Sequence, residues 1–181
     1  MAKEATVSED LAKKFATEKE TPYTRWVQSE GLEIISGLHV PNLHTVELKP
    51  WPRRGGRAVF INHDASRTSN DCYVCEIPPG RELAPQRQLY EEMIYVLDGA
   101  GYEIHDGVRY DWKAGDVAIV HNNCVHQHFN ADPDKPARAL VIKTKPMYMF
   151  MNMMFQKLVE PRPTEPAPGG IGFVAREEQS G

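Results

Sequence analysis

Apolar and polar residues alternate in short runs along the middle of the chain, and turn-forming residues separate the runs. The runs include DCYVCEI, MIYVL, GYEIH, VRYDW, VAIV, VHQHF and RALVIK. The intervening segments carry Pro78-Pro79-Gly80, Asp98-Gly99, Asp106-Gly107 and Gly115-Asp116. A period of two between tight turns is typical of β-strands with one buried face. The pattern therefore predicts an all-β sandwich or barrel.

Polar side chains recur at alternate positions in two of these segments. The first segment carries four of them and the second carries two: Gln86, Gln88, Tyr90 and Glu92, then His126 and His128. Because alternate side chains of a strand face the same way, we expect the two amides, the carboxylate and the two imidazoles to reach one cavity. These are the side chains of a metal site or of a polar catalytic pocket.

The two ends of the chain differ from the middle. Residues 8–19 (SEDLAKKFATEK) predict an amphipathic helix with Ser8 as its N-cap. Residues 22–50 predict short strands interrupted by Gly31 and Gly37. The methionine-rich stretch PMYMFMNMMFQKLV predicts a helix or extended segment on the barrel, at a subunit interface or over the pocket as a lid. We divide the chain into an N-terminal arm (1–21), a barrel (22–146) and a C-terminal segment with a flexible tail (147–181).

Length and charge limit the classes of partner. The chain has 181 residues, enough for one domain with a sizeable core, and a formal net charge of −4. This charge gives no reason to expect nucleic acid as a partner. The sequence contains no apolar run of membrane-spanning length, and its start lacks the apolar centre of a secretory signal. We therefore expect a cytoplasmic protein with no membrane partner.

Two other patterns were weighed as sites and are interpreted as structural. Cys72 and Cys75 form a C-x-x-C within a predicted strand, where residues three apart face opposite ways, so we expect separate thiols. Arg53, Arg54 and Arg57 have the chemistry of a carboxylate or phosphate clamp. A solvated basic loop is the favoured interpretation of these three arginines.

The central stretch resembles the two signature motifs of the cupin family. The first motif runs Gly, five residues, His-x-His, a short spacer, Glu, six residues, Gly. Here Gly80 opens the motif, Glu92 takes the carboxylate position and Gly99 closes it. Gln86 and Gln88 stand at the two histidine positions, so the chain carries Gln-x-Gln in place of His-x-His.

The second cupin motif is matched by the later segment. Gly115 opens it, His126 takes the histidine position and Asn130 takes the asparagine position. His121 and Asn123 stand where the family has proline and glycine. The resemblance implies a double-stranded β-helix, or jelly-roll barrel, to which we add an N-terminal helix and a helical or extended C-terminal tail.

The resemblance also implies a metal centre built from three histidines and one glutamate. An amide oxygen is a weaker ligand than imidazole for a first-row transition metal, so the two glutamines should lower the affinity. His128 can compensate, since Glu92, His126 and His128 would form a two-histidine, one-carboxylate set with Gln88 as a further contact. Gln86 would adjust this ligand set or bind substrate. Alternatively His128 lies behind the ligands or acts as a general base.

Three functions follow from these expectations. The first is a dioxygenase acting on an aromatic or enolisable small molecule, with Fe(II) favoured and Mn, Ni or Zn as alternatives. The second uses little or no metal: Glu92, with a pKa raised by burial, and His126 would serve a lyase, isomerase or cyclase. The third is a non-catalytic ligand-binding or sensor barrel. In the enzymes, the Tyr90 hydroxyl would meet the substrate.

The same stretch is similar to one half of longer, two-barrel bacterial cupins. Because the chain is short, the resemblance implies a single-barrel member. Isolated barrels of this family commonly pair, and the N-terminal helix and the methionine-rich segment offer surfaces for contact. We therefore expect a homodimer.

Overall fold

The computed structural model describes residues 22–37, 39–62, 69–154 and 156–159. The helix predicted over residues 8–19 and the tail predicted after residue 159 lie outside these residues. Within them, twelve strands and two short helices follow one another along the chain. They are α1 (Pro22–Ser29), β1 (Ile34–Ser36), β2 (Lys49–Trp51), β3 (Gly56–Asn62), β4 (Asp71–Ile77), β5 (Gln86–Gln88), β6 (Glu92–Asp98), β7 (Ala100–His105), β8 (Val108–Lys113), β9 (Val117–Val120), β10 (Val125–Asn130), β11 (Ala137–Lys143), α2 (Lys145–Phe150) and β12 (Gln156–Leu158).

The strands form two sheets. One has seven strands in the order β1-β3-β4-β11-β6-β9, with β2 also paired to β3. The other has five strands in the order β12-β5-β10-β7-β8. All pairs are antiparallel except β1 with β3. The predicted all-β jelly-roll fold is confirmed, because sequence neighbours such as β5 and β6 lie in opposite sheets.

The first helix differs from the prediction of strands after residue 22. Tyr23, Trp26 and Val27 recur at helical spacing, and Tyr23 and Val27 are buried. The Trp26 ring meets the Phe60 ring edge-on at 5.5 Å between centroids, so the helix closes the open end of the seven-stranded sheet. Gly31, with a φ of 70°, follows the helix in a conformation that suits glycine.

The methionine-rich segment is partly helical and partly extended, as predicted. Helix α2 begins at Lys145, two residues before the predicted boundary, and β12 adds an antiparallel edge to β5. Met147, Met151 and Met153 are exposed. Neither helix of the described chain is long and apolar enough to cross a membrane. The domain boundaries and the homodimer stay predictions.

Asn130, the asparagine of the second motif, joins the end of β10 to its surroundings. Its side-chain N–H groups face the carbonyl oxygens of Ile77 and Pro78 at 3.1 Å each and of Lys135 at 2.8 Å. Its Oδ1 accepts a hydrogen bond from the Asp132 backbone N–H at 2.9 Å. One buried amide therefore fixes the loop between β10 and β11 against the end of β4.

Replacing Asn130 with Ala should lower the free energy of unfolding by roughly 2–4 kcal/mol, because several buried backbone groups lose their partner. Urea denaturation followed by tryptophan fluorescence measures the change. Asn122→Ala, at an exposed amide in the neighbouring loop, is the matched control and should change stability by less than about 0.5 kcal/mol. Equal effects of the two substitutions would contradict this account of the loop.

Candidate functional site

The interior of the seven-stranded sheet is built around a buried ion pair. Strand β11 lies between β4 and β6, and its Lys143 stands directly opposite Asp71 on one side and Glu92 on the other. The Lys143 Nζ is 3.2 Å from Glu92 Oε2 and 2.9 Å from the Tyr73 hydroxyl. Lys143 is 4% exposed and Glu92 is 1% exposed. A cation supplied by the chain itself therefore lies against the carboxylate.

Two other groups complete the surroundings of Glu92. Gln88 Nε2 donates a hydrogen bond to Oε2 at 2.9 Å, and the Tyr73 hydroxyl donates to Oε1 at 3.4 Å. Burial alone would raise the pKa of Glu92, but Lys143, together with His126, His128 and Arg54, outweighs it and holds the pKa well below its ordinary value. The expectation that Glu92 acts as a general acid with a raised pKa is therefore wrong.

The five-stranded sheet brings a second polar row inward. Strand β10 lies between β5 and β7, so His126 stands opposite Gln86 and His105, and His128 stands opposite Glu103. The His126 and His128 rings are 5.5 Å apart between centroids, and both are buried, as the alternation predicted. Burial lowers the pKa of His126 to about 3, so this imidazole is neutral at neutral pH.

The remaining predicted residues are buried behind these rows. Gln86, Gln88 and Tyr90 are all buried, which confirms the parity inferred from the sequence. The amide oxygens of both glutamines and the Tyr90 hydroxyl have no hydrogen-bond partner among the residues that the structure describes. Burial raises the pKa of Tyr90 well above its ordinary value. None of the three side chains lines the cavity or the cleft described below.

Glu103 lies between two imidazoles. Its Oε2 is 3.1 Å from His128 Nδ1, and its Oε1 is 3.4 Å from His105 Nε2. Burial raises the pKa of Glu103, but the two neighbouring imidazoles more than offset this and bring it to about 2. The carboxylate is therefore ionised throughout the physiological range.

A small cavity and a larger cleft meet at Glu103. The cavity, of about 30 Å³, lies between the sheets and reaches Glu92, His128 and Arg54. The cleft, of about 550 Å³, lies at the mouth of the barrel. Both are lined by Glu103, Trp112 and Ala118. Since small-molecule sites span roughly 300–1,000 Å³, the cleft can hold a ligand and the cavity has room only for water.

The cleft is acidic. Glu103, Asp111 and Asp116 line it together with His105, His121 and Tyr110, and no Lys or Arg is among its described lining residues. Arg54, at 3% exposure, lines the cavity and not the cleft. The expectation that Arg54 lies in a solvated basic loop is therefore wrong, because Arg54 packs beside the Trp51 ring under the sheet. The cleft itself suits a neutral or cationic ligand.

The arrangement of donors does not match the predicted metal centre. In the described part of the chain, one group of three His, Cys, Asp or Glu side chains has all its donor atoms within 4.8 Å of one another: His105, His121 and Cys124. Glu92, His126 and His128 are not such a group. Lys143 occupies the space beside Glu92, so the residues as they stand do not fit a cation there. Metal binding at this position stays a prediction.

Residues 73–143 match the family model described as Cupin domain, and both motifs lie within this range. This range, from β4 to β11, is thus similar to a cupin domain. A curated protein similar to this chain is 5-aminosalicylate 1,2-dioxygenase of a Comamonas species, 27% identical over 74 residues, which is 41% of this chain and 20% of that protein.

Solved cupin structures give the same fold. Salicylate 1,2-dioxygenase from Pseudaminobacter salicylatoxidans superposes with a TM-score of 0.54 at 14% identity, over 82% of this chain and 38% of that one. Its adduct with gentisate gives a TM-score of 0.52 at 14% identity, over 84% of this chain and 36% of that one. The chain thus spans well under half the length of these relatives, whose structural likeness shows the fold alone.

Sequence reasoning missed Lys143, Glu103 and His105. A signal existed for the lysine, because Lys143 shares the inward parity of Val141 in RALVIK. Glu103 and His105 also share one parity within GYEIH. Their contacts with the histidines of β10 depend on the order of strands in the sheet, which the alternation of residues does not specify. Cys72 and Cys75 are separate free thiols, as predicted.

Replacing Lys143 with Met should lower the free energy of unfolding by about 3–5 kcal/mol, because it leaves the Glu92 charge buried without a counter-ion. Denaturation in urea measures the loss. The double variant with Glu92→Gln should recover most of it, since no buried charge remains at that pair. Lys113→Met, at an exposed lysine, is the control. A Lys143→Met protein as stable as this control would rule out the ion pair as a stabilising contact.

Asp71 makes the free energy of unfolding depend on pH. Burial raises its pKa from 3.8 to about 6. The stabilising contribution of a raised carboxyl pKa is full below pH 3.8 and is lost as the pH rises through about 6. Asp71→Asn should therefore gain roughly 1–3 kcal/mol relative to the parent protein between pH 4 and pH 7. Asp134→Asn, at an exposed carboxyl, should show no such gain in the same denaturation series.

Proposed function

We propose that the protein is an enzyme that acts on a small molecule held in the cleft, by acid–base catalysis at Glu103 and His128. The observation that carries this proposal is the contact of the Glu103 carboxylate with His128 Nδ1, at 3.1 Å, where the cleft meets the cavity. A carboxylate beside Nδ1 fixes the orientation of the ring and the nitrogen that carries its hydrogen. The pair can therefore take up a proton and return it.

Each member of the pair has a separate part. Glu103 lines the cleft and is ionised, so it meets the substrate and takes a proton from an acidic C–H bond. His128 Nδ1 lies 3.1 Å from the same carboxylate, and His128 lines the cavity behind Glu103, where it would stabilise the proton once taken. Removal and return of a proton next to a carbonyl group is the common step of isomerases and of many lyases. The reaction class is therefore that of an isomerase or lyase on an enolisable substrate.

The charge of the cleft limits the substrate. Three carboxylates line the cleft, and one of them, Asp111, is paired with the Arg109 guanidinium at 2.7 Å, so the walls keep a net negative charge that favours a neutral or cationic molecule over an anion. Salicylate and gentisate are carboxylate anions. We therefore propose that the substrate is neutral or cationic, unlike salicylate and gentisate, which appear in the names of the structural relatives.

The surroundings of Glu92 support a reaction without a metal at the family position. The Lys143 ammonium already supplies the positive charge that a buried carboxylate requires. Gln88 holds the same carboxylate oxygen. These contacts give Glu92, Gln88 and Lys143 a structural part in supporting the barrel interior.

A dioxygenase is the second candidate, and the sequence similarity to 5-aminosalicylate 1,2-dioxygenase favours it. Its metal, Fe(II) by preference, would take donors from Gln86, Gln88, Glu92, His126 and His128. Unpartnered buried atoms at Gln86 Oε1, Gln88 Oε1, His126 Nε2 and His128 Nε2 are consistent with such a role. The metal would have to displace Lys143 from Glu92.

The acid–base proposal is tested by solvent exchange in D2O, followed by proton NMR on neutral and cationic α-hydroxy- and α-aminoketones in the presence of EDTA. We expect loss of the α-proton signal, and a rate at least about 100-fold lower in Glu103→Gln. Asp111→Asn, a second carboxylate of the cleft, is the matched control and should keep most of the rate. No exchange with any substrate of this panel would contradict the proposal.

The dioxygenase is tested by oxygen uptake with salicylate, 5-aminosalicylate and gentisate after loading with Fe(II). The acid–base account predicts no uptake. In the variants Gln88→His and Lys143→Met, iron content should rise if the position beside Glu92 is a weakened metal site. Substrate-dependent uptake by the parent protein would favour the dioxygenase over the acid–base enzyme.

A further inference from the structure

We propose that His105, His121 and Cys124 bind a zinc-class metal ion at the mouth of the barrel, separate from the cupin family position. Their donor atoms all lie within 4.8 Å of one another. Two imidazole nitrogens and one thiolate suit borderline and soft ions such as Zn(II), rather than Mg(II) or Ca(II). The site does not depend on the proposed acid–base reaction.

The loops that carry the three donors are held together. His105 ends β7, while His121 and Cys124 lie in the loop between β9 and β10. The Asp106 N–H donates to the Val125 carbonyl at 2.8 Å, and the Val125 N–H donates to Asp106 Oδ1 at 2.9 Å. This reciprocal pair fixes the turn after His105 against the residue that follows Cys124. The donors therefore approach one another through backbone contacts that need no metal.

Each imidazole has a carboxylate on its Nε2 side. Glu103 Oε1 is 3.4 Å from His105 Nε2, and Asp106 Oδ2 is 3.7 Å from His121 Nε2. Metal-binding histidines commonly carry a carboxylate on the nitrogen that does not bind the metal, which fixes the tautomer and the ring. The arrangement leaves Nδ1 of both rings for a metal ion.

The position of the three donors lets a metal ion enter from solvent and lets the donors move together around it. His105 and His121 line the acidic cleft, so a cation reaches them from solvent and a fourth coordination position opens onto the cleft. Tetrahedral Zn(II) places its donors about 3.3–3.7 Å apart, so the three groups must approach slightly. The His121 side chain, 59% exposed, can make this movement. Cys124 would release its thiol proton to solvent on binding.

Cobalt(II) titration of the metal-stripped protein tests the site directly. Co(II) takes the place of Zn(II), and a thiolate ligand gives it a near-ultraviolet charge-transfer band that oxygen and nitrogen ligands lack. We expect one equivalent to bind with this band and with tetrahedral visible bands, and Zn(II) to displace it. The band reports a thiolate ligand, and the variants below assign it, because Cys75 lines the cavity with Glu92 and Cys124 Sγ also lies 3.9 Å from His126 Nδ1.

Two pairs of variants assign the ligands. His121→Ala and Cys124→Ser should each weaken Co(II) binding at least about tenfold and abolish the thiolate band or shift it. His39→Ala, at an exposed histidine, and Cys72→Ser, at a half-buried thiol, are the matched controls and should leave binding unchanged. His121 is exposed, so its variant keeps the test informative even if Cys124→Ser fails to fold.

The outcomes separate this site from the alternatives. No Co(II) binding, or binding without a thiolate band, would overturn the proposal, and the second result would move the metal to the family position. Binding that survives in His121→Ala would also overturn it.

Discussion

The ion pair between Lys143 and Glu92 is the constraint on which the interior depends. An ionised carboxylate inside a barrel requires a positive partner, because the protein interior solvates charge poorly. Here the partner is a lysine from the neighbouring strand, in direct register with the carboxylate. Tyr73 and Gln88 occupy the remaining contacts of the pair. The chain thereby supplies the counter-charge of Glu92 itself, and the cavity beside the pair is small.

In the proposed function, the reacting groups lie at the mouth of the barrel. Glu103 and His105 on β7 face His126 and His128 on β10, and this row continues to His121 in the adjoining loop. The cleft in front of the row is large enough for a small molecule and carries negative charge. One barrel end therefore holds both the acid–base pair and the group of metal-type donors. The cupin fold positions these residues, while their identity decides the reaction.

The fold was predictable because alternation and turn residues are local signals. Gln86, Gln88, Glu92, His126 and His128 were assigned correctly to the inside from parity alone. Lys143 also had inward parity, but a lysine after RALVI was not taken as buried. The contact of Glu103 with His128 required the order of strands, which arises from long-range pairing. Helix α1 was not predicted, because Gly31 follows the end of a helix and does not separate two strands.

A crystal structure of the protein grown with Mn(II) or Fe(II), with anomalous data collected at the metal edge, tests the central claim most directly. The account predicts that Lys143 Nζ lies within hydrogen-bond distance of Glu92 and that no anomalous peak lies at bonding distance from that carboxylate. A metal peak bonded to Glu92 and His126, with the Lys143 side chain displaced, would contradict it. The barrel would then hold a metal centre at the cupin family position.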